Sequence, residues 1–190
     1  DLVANPGCYP TCAVLALAPM ARAGLIEGVV VDAKSGVSGA GRNSAGMHFS
    51  LVGENFSPYK VHGHRHQPEI RQELAALGTQ GPLTFVPHLL PLDQGLLSGC
   101  YVTLARETDE GELRALYEES YAGEPFVELA EAPPGVLDVH EPNLCRICVA
   151  VPPEGGRALV FAAIDNLWKG AAGQAIQNLN LMLGLPESEG

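Results

Sequence analysis

Apolar positions along the chain follow two periods, and the switches between them mark its elements. From Pro10 to about Ala23 the run is Ala- and Leu-rich, as a buried helix would be, and Gly24 ends it. A β-branched stretch from Gly28 to Ala33 then reads as a buried strand. It empties into the glycine-rich loop Ser35–Arg42, and residues 43–60 read as irregular, punctuated by Asn, Ser, Gly and Pro. Ile70, Leu74 and Leu77 share a helical face and predict a second helix from Gln67 or Pro68 to about Leu77. Pro68 stands early in it, where the missing N–H costs nothing. Strands follow at 83–86 and 96–104, then a charged helix at 110–121 with Leu113, Leu116 and Tyr117 inward, then a strand near 126–129. A hairpin is predicted from 144–151 and 158–164, joined by Pro152-Pro153-Glu154-Gly155-Gly156. The closing helix, 168–183, carries an apolar stripe of Ala171, Ala172, Ala175, Ile176, Leu179 and Leu183.

Strands beside strands, with helices between only some of them, leave room for few parallel crossovers. The predicted class is α+β: a mixed, mostly antiparallel sheet covered by helices. The 190 residues, 46% of them hydrophobic at a mean hydropathy of +0.10, can hold one good-sized core. No apolar run reaches the roughly 18–20 residues of a membrane span, and no basic segment leading into an apolar one marks a secretion signal. A net charge of −11, from 22 acidic and 11 basic residues, argues against nucleic acid or an anionic membrane surface as partner. Against that background Lys34, Arg42, Lys60 and Arg65 stand out. Five cysteines, odd in number and unevenly spaced, do not form a disulfide framework and point to a reducing cytoplasm.

The stretch Asn5-Pro6-Gly7-Cys8-Tyr9-Pro10-Thr11 sets a cysteine where the first helix begins. Unpaired N–H groups and the positive end of the helix dipole converge there, and both favour the thiolate, the form that attacks carbonyl carbon. A small buried cysteine at a loop-to-helix junction is the plainer reading. His62, His64 and His66 alternate on the approach to the second helix. A metal would want further ligands that the sequence does not arrange around them. A cysteine nucleophile needs one histidine able to move a proton near neutral pH. The Ser35–Arg42 loop has the spacing G-x-x-G-x-G, not a dinucleotide fingerprint, and reads as a place where a ligand can approach the backbone closely. Cys145 and Cys148, three apart on a strand, face opposite sides and read as packing residues, as does Cys12. Asp165 or Asn166 caps the last helix, and a carboxamide at that corner can also bond a ligand's amide.

Four motifs taken together carry a resemblance: Asn5–Thr11, Ser35–Arg42, His64-Arg65-His66-Gln67-Pro68-Glu69-Ile70 and Ala163-Ile164-Asp165-Asn166-Leu167-Trp168-Lys169-Gly170. In order and approximate spacing, over essentially the whole chain, they resemble the N-acetyl-γ-glutamyl-phosphate reductases. The wider kin are aspartate-semialdehyde dehydrogenases and, more distantly, glyceraldehyde-3-phosphate dehydrogenase. The resemblance implies a glyceraldehyde-3-phosphate dehydrogenase-like C-terminal domain and a reductive dephosphorylation. Cys8 would attack an acyl phosphate, phosphate would leave, and NADPH would reduce the thioester to a semialdehyde. It further implies His66, or His64 in its place, as the acid–base residue. Arg42 and Arg65 would bind substrate, and Ser38, Gly39 and Asn166 would lie against the nicotinamide end of NADP. A small-molecule acyl phosphate is the implied partner, no metal is implied, and the implied assembly is a homodimer or homotetramer.

The family carries a Rossmann domain ahead of the cysteine motif. Neither G-x-G-x-x-G after a strand nor an acidic ribose ligand occurs in this sequence. Residues 1–165 are thus expected to form the catalytic and dimerisation domain, and 166–190 a helix that would pack on the NADP-binding domain, its stripe partly exposed without it. The first residues look cut from something longer. Other readings stay open: the equivalent reductase of an amino-protected α-aminoadipyl phosphate in a lysine route, a Cys/His acyltransferase or peptidase without hydride chemistry, and a non-catalytic oligomerisation domain.

Overall fold

The computed structural model of the chain describes residues 2–40 and 53–189. Helix α1 (Cys8–Arg22) leads into strand β1 (Ile26–Ser35) and a 3-10 turn at Val37–Ala40. Then come β2 (Ser57–Pro58), α2 (His66–Ala76), β3 (Leu83–Leu89), β4 (Leu96–Leu104), α3 (Glu110–Ser120) and β5 (Val127–Leu129). A second 3-10 turn (Val136–Val139) precedes the hairpin of β6 (Cys145–Ala150) and β7 (Arg157–Ile164), and a π turn (Trp168–Ala172) opens α4 (Gly173–Leu183). Among the described residues the strands form one sheet in the order β2-β3-β1-β4-β7-β6-β5. Two pairings are parallel, β1 with β3 and β5 with β6, and the others are antiparallel. This is the mixed, mostly antiparallel α+β sheet that the pattern predicts.

One face of the sheet carries the core. Val29, Val31 and Ala33 of β1, Cys100 and Val102 of β4, Val160 and Ala162 of β7, and Cys145 and Ile147 of β6 meet Cys12, Ala13, Ala16, Leu17 and Met20 of α1. Small residues along α1 let its backbone come close to the strands. Helices α2 and α3 flank α1 on the same side. Pro19 lies inside α1 and has no N–H to give the Leu15 carbonyl. The Tyr121 hydroxyl donates to that carbonyl instead, and Tyr117 donates to Ala16 O, so α3 completes hydrogen bonding on α1. The opposite face has no covering helix among the described residues. Val30 is exposed, and Leu97, Tyr101, Leu159 and Phe161 are half-buried.

Three elements depart from the sequence pattern. β3 continues through Pro87 to Leu89, tolerated because its neighbour β2 is only two residues long, so Pro87 lies nearly at a sheet edge. β1 extends to Ser35, in register with Leu96 on one side and Leu89 on the other. The last helix begins as a π turn, and ahead of it Asp165, not Asn166, takes free N–H groups: Asp165 Oδ1 accepts from Leu167 and Trp168 N–H at 2.9 and 3.2 Å. Cys145 joins the main core and Cys148 does not, as expected for positions three apart on a strand.

Candidate active site

Cys8 is the first residue of α1, with Gly7 as its N-cap in extended conformation (φ −73°, ψ 158°). The Gly7 carbonyl starts the helix, accepting from Thr11 N at 2.9 Å and Thr11 Oγ1 at 3.0 Å. Two elements press on this junction. From α2, the His66 imidazole occupies the space beside Gly7, where an added Cβ would fall 2.8 Å from its Cδ2 and Cε1. From the π turn, Gly170 lies so close that an added Cβ would sit 2.7 Å from Cys8 Cβ. Both glycines are there for close approach. The fold thus brings together a cysteine from residue 8, a histidine from residue 66 and a strand-to-helix corner at residue 170.

His66 and His64 have different surroundings. The Nδ1 of His64 accepts the His66 backbone N–H at 3.1 Å, which helps to start α2 and occupies that ring nitrogen. His64 is buried among Tyr9, Tyr59, Phe85 and His66, with ring centroids 4.8 to 5.6 Å away. His66 is also buried, and its Nδ1 has no hydrogen-bond partner among the described residues. Burial, with the positive charge of Arg65 nearby, lowers both imidazoles to about 4. Both are therefore neutral at pH 7.

The sequence predicts a thiolate favoured by the helix start, and the balance in the folded protein goes the other way. Burial raises the Cys8 thiol above its ordinary value. The backbone N–H groups of Tyr9 and Cys8 and the charge of Arg65 oppose that, and Glu69 adds to it. The helix-start effect is present, and desolvation exceeds it. The resting pair is a neutral thiol beside a neutral imidazole.

A cleft of about 720 Å³ opens over this pair. Cys8, Gly39, His62, His64, Arg65 and His66 line it, with Lys60 and Arg65 giving positive charge suited to an anion. Tyr59 and Tyr9 meet there, Tyr59 Oη donating to Tyr9 Oη at 3.3 Å and Tyr9 Oη to His88 O at 3.3 Å. Ser38 and Asn166 meet beside the cleft: Asn166 Nδ2 donates to Ser38 Oγ at 2.9 Å, and its Oδ1 accepts from Gly95 N at 2.6 Å. Asn166 is almost wholly buried, so it backs Ser38 and Gly39 from behind. Gly39 offers bare backbone to the cleft, and the Ser38 hydroxyl beside it accepts from Asn166 Nδ2 and donates to Asp93 O at 2.6 Å. Arg42 lies outside the described residues. Glu69, in the first turn of α2, accepts from Gly7 N at 2.9 Å. Spacing could not reveal that contact, which joins elements 62 residues apart.

The family profile "semialdehyde dehydrogenase, dimerisation domain" matches residues 8–166. The chain belongs to the semialdehyde dehydrogenase family. Its relatives include the N-acetyl-gamma-glutamyl-phosphate reductase of Moorella thermoacetica, 53% identical over 195 residues covering 98% of this chain and 56% of that protein. The enzyme of the same name from Pelotomaculum thermopropionicum is 52% identical over 195 residues, covering 100% of this chain and 56% of that protein. The chain thus spans a little over half the length of the curated relatives it matches. Among solved structures, aspartate semialdehyde dehydrogenase II from Vibrio cholerae, complexed with ASA, superposes with a TM-score of 0.78 at 16% identity, over 96% of this chain and 62% of that one. At that identity the superposition shows the shared fold. The family's C-terminal architecture, expected from the motifs, is the one observed. No described helix is long and apolar enough to cross a membrane.

Proposed function

We propose that the chain is the catalytic part of an N-acetyl-γ-glutamyl-phosphate reductase, an oxidoreductase of arginine biosynthesis acting through a Cys8 thioester. The observation that carries the reading is the junction itself: a cysteine at the first turn of a helix, a histidine ring packed against the preceding glycine, and a cationic cleft above both. The names of the relatives supply the substrate.

In this reading Arg65, Lys60 and the unplaced Arg42 attract the substrate's carboxylate and phosphate. His66, neutral at rest, takes the Cys8 proton as sulfur attacks the acyl carbon, so charge appears only as the bond forms. The N–H groups of Cys8 and Tyr9 lie at the helix start, where they stabilise negative charge on the reacting atoms. Phosphate leaves, and a thioester remains on Cys8. NADPH, when bound, supplies the hydride that reduces this thioester, and Ser38 and Gly39, backed by Asn166, would hold its nicotinamide end. His66 returns its proton to the substrate oxygen and takes it back as the hemithioacetal collapses to the semialdehyde, freeing Cys8. His64, its Nδ1 engaged by the His66 backbone, shapes the wall of the cleft.

The open sheet face, with Val30, Leu97, Tyr101 and Phe161, is where a second copy would dock, in keeping with the dimerisation-domain family. The exposed stripe of α4 would meet a nicotinamide-binding domain in the longer protein, which would work in the cytoplasm. The test supplies that longer protein with acyl phosphate and no NADPH, then reads intact mass. A thioester on Cys8 that NADPH discharges to semialdehyde supports the reading. Turnover without any adduct, or none from wild type, sinks it.

A further inference from the structure

Helix α2 and the residue that caps it send three side chains toward Gly7 and Cys8. Arg65 and His66 belong to the cleft already described. The third, Glu69, is half-buried one turn further along, and its Oε1 accepts the Gly7 N–H at 2.9 Å. This bond joins the residue directly before Cys8 to the helix that carries His66. The Gly7 carbonyl is held from the other side by Thr11, so the peptide groups of Gly7 are clamped at both ends. The His66 ring then rests on the Gly7 Cα, where no side chain intervenes. Without the Glu69 bond, helices α1 and α2 would still pack through Ile70 and Leu74, but among the described residues no other hydrogen bond would tie the residue before Cys8 to the helix of His66.

We propose that Glu69 is a positioning residue for the Cys8–His66 pair, pinning the Pro6–Gly7 peptide beside the imidazole through its carboxylate. The proposal rests on the reductase reading for its effect on turnover, and on the Glu69–Gly7 hydrogen bond for the geometry of the pair. Glu69 sits close enough to Cys8 that its negative charge opposes the thiolate, against Arg65, which favours it. The other polar groups around the sulfur are His66 from α2, Tyr9 and Cys12 from α1, and Tyr59 from the segment leading into α2. None of these carries charge at pH 7. Glu69 therefore does two separable things: its oxygen holds the backbone, and its charge adds to the burial that disfavours the thiolate.

E69Q and E69A separate the two. In E69Q the amide oxygen still accepts from Gly7 and the charge is gone, whereas E69A loses both. In the 190-residue chain, the pH dependence of Cys8 alkylation by iodoacetamide, located by peptide fragmentation, should shift to lower pH in E69Q. In the longer protein E69A should lose about tenfold or more in kcat with little change in KM, and E69Q should recover part of it. A wild-type kcat in E69A overturns the positioning role, and an unmoved alkylation midpoint in E69Q overturns the restraint by charge. If E69A fails to fold, E69D, which keeps the charge and is one methylene too short to reach Gly7 N, should show the same loss in kcat, and a wild-type kcat there overturns the positioning role. Failure of the reductase reading looks different: wild type then forms no thioester, while the E69Q shift remains.

Discussion

The His66 imidazole fills the space that a side chain at Gly7 would occupy. Gly7 has an ordinary extended backbone, so alanine there carries no conformational strain and acts only through its methyl group. Gly7→Ala should push His66 away from Cys8 and cost about a hundredfold in kcat, with a stability loss of about 1–3 kcal/mol from overpacking. Steady-state kinetics with a thermal melt read both quantities. Unchanged kcat would mean that the imidazole does not work from this position.

The Cys8 thiol should be an unreactive one at rest. Burial raises it above the ordinary thiol value, so alkylation of Cys8 by a neutral reagent should be slow at pH 7 and climb with pH past about 9. A midpoint near pH 6 would instead reveal a thiolate–imidazolium pair and contradict the neutral pair derived above.

Acid should destabilise the chain through His64 and His66. Both are lowered from 6.5 to about 4 by burial, so the unfolded chain binds more protons than the folded one between those values. Stability is therefore full above pH 6.5 and falls as the pH drops toward 4. Denaturant midpoints of wild type and His64→Asn, compared at pH 7 and pH 5, should show the smaller loss in the variant. Equal losses would place the acid sensitivity elsewhere.

Asp165 organises the corner that delivers Gly170 to Cys8. Its carboxylate is wholly buried and accepts from Gln94 Nε2 and from the backbone N–H groups of Glu141, Leu167 and Trp168. Asp165→Ala leaves these donors unpaired and should cost at least about 3 kcal/mol in a denaturant melt. A loss under 1 kcal/mol would show that water replaces the carboxylate and that the corner holds without it.

Much of this architecture is legible in the sequence, for reasons local to each stretch. Gly7 and Pro10 bracket the start of α1, and the Pro-Pro-Glu-Gly-Gly turn fixes the β6–β7 hairpin. Local rules fail where a distant partner decides. Pro87 reads as a strand end, and the edge position of β3 lets the strand pass through it. His88 has no context in the sequence, yet its Nδ1 lies 3.1 Å from Asp32 Oδ1 on the neighbouring strand. The helix-start argument for Cys8 is right about the N–H groups and wrong about the net effect, because desolvation depends on what α2 and the π turn place over the sulfur. Glu69 reads as a first-turn acid until α1 is seen beside it.

The stripe on α4 gives a last prediction. Ile176, Leu179, Met182 and Leu183 remain 46 to 64% exposed, because α4 packs mainly on the π turn before it. Asn178 and Asn5 tie the helix to the start of the chain through polar contacts only, leaving the apolar side bare. Leu179→Ser with Leu183→Ser should leave the melting of the 190-residue chain within about 0.5 kcal/mol of wild type, since neither side chain is packed. It should also reduce self-association in sedimentation, because a bare apolar stripe drives it. In the longer protein the same pair should weaken NADPH binding, as expected if the stripe seats the nicotinamide-binding domain, and the 190 residues alone should bind NADPH poorly. A large stability loss in the short chain would mean that the stripe is already packed. Unaltered NADPH affinity in the longer protein would release α4 from that role.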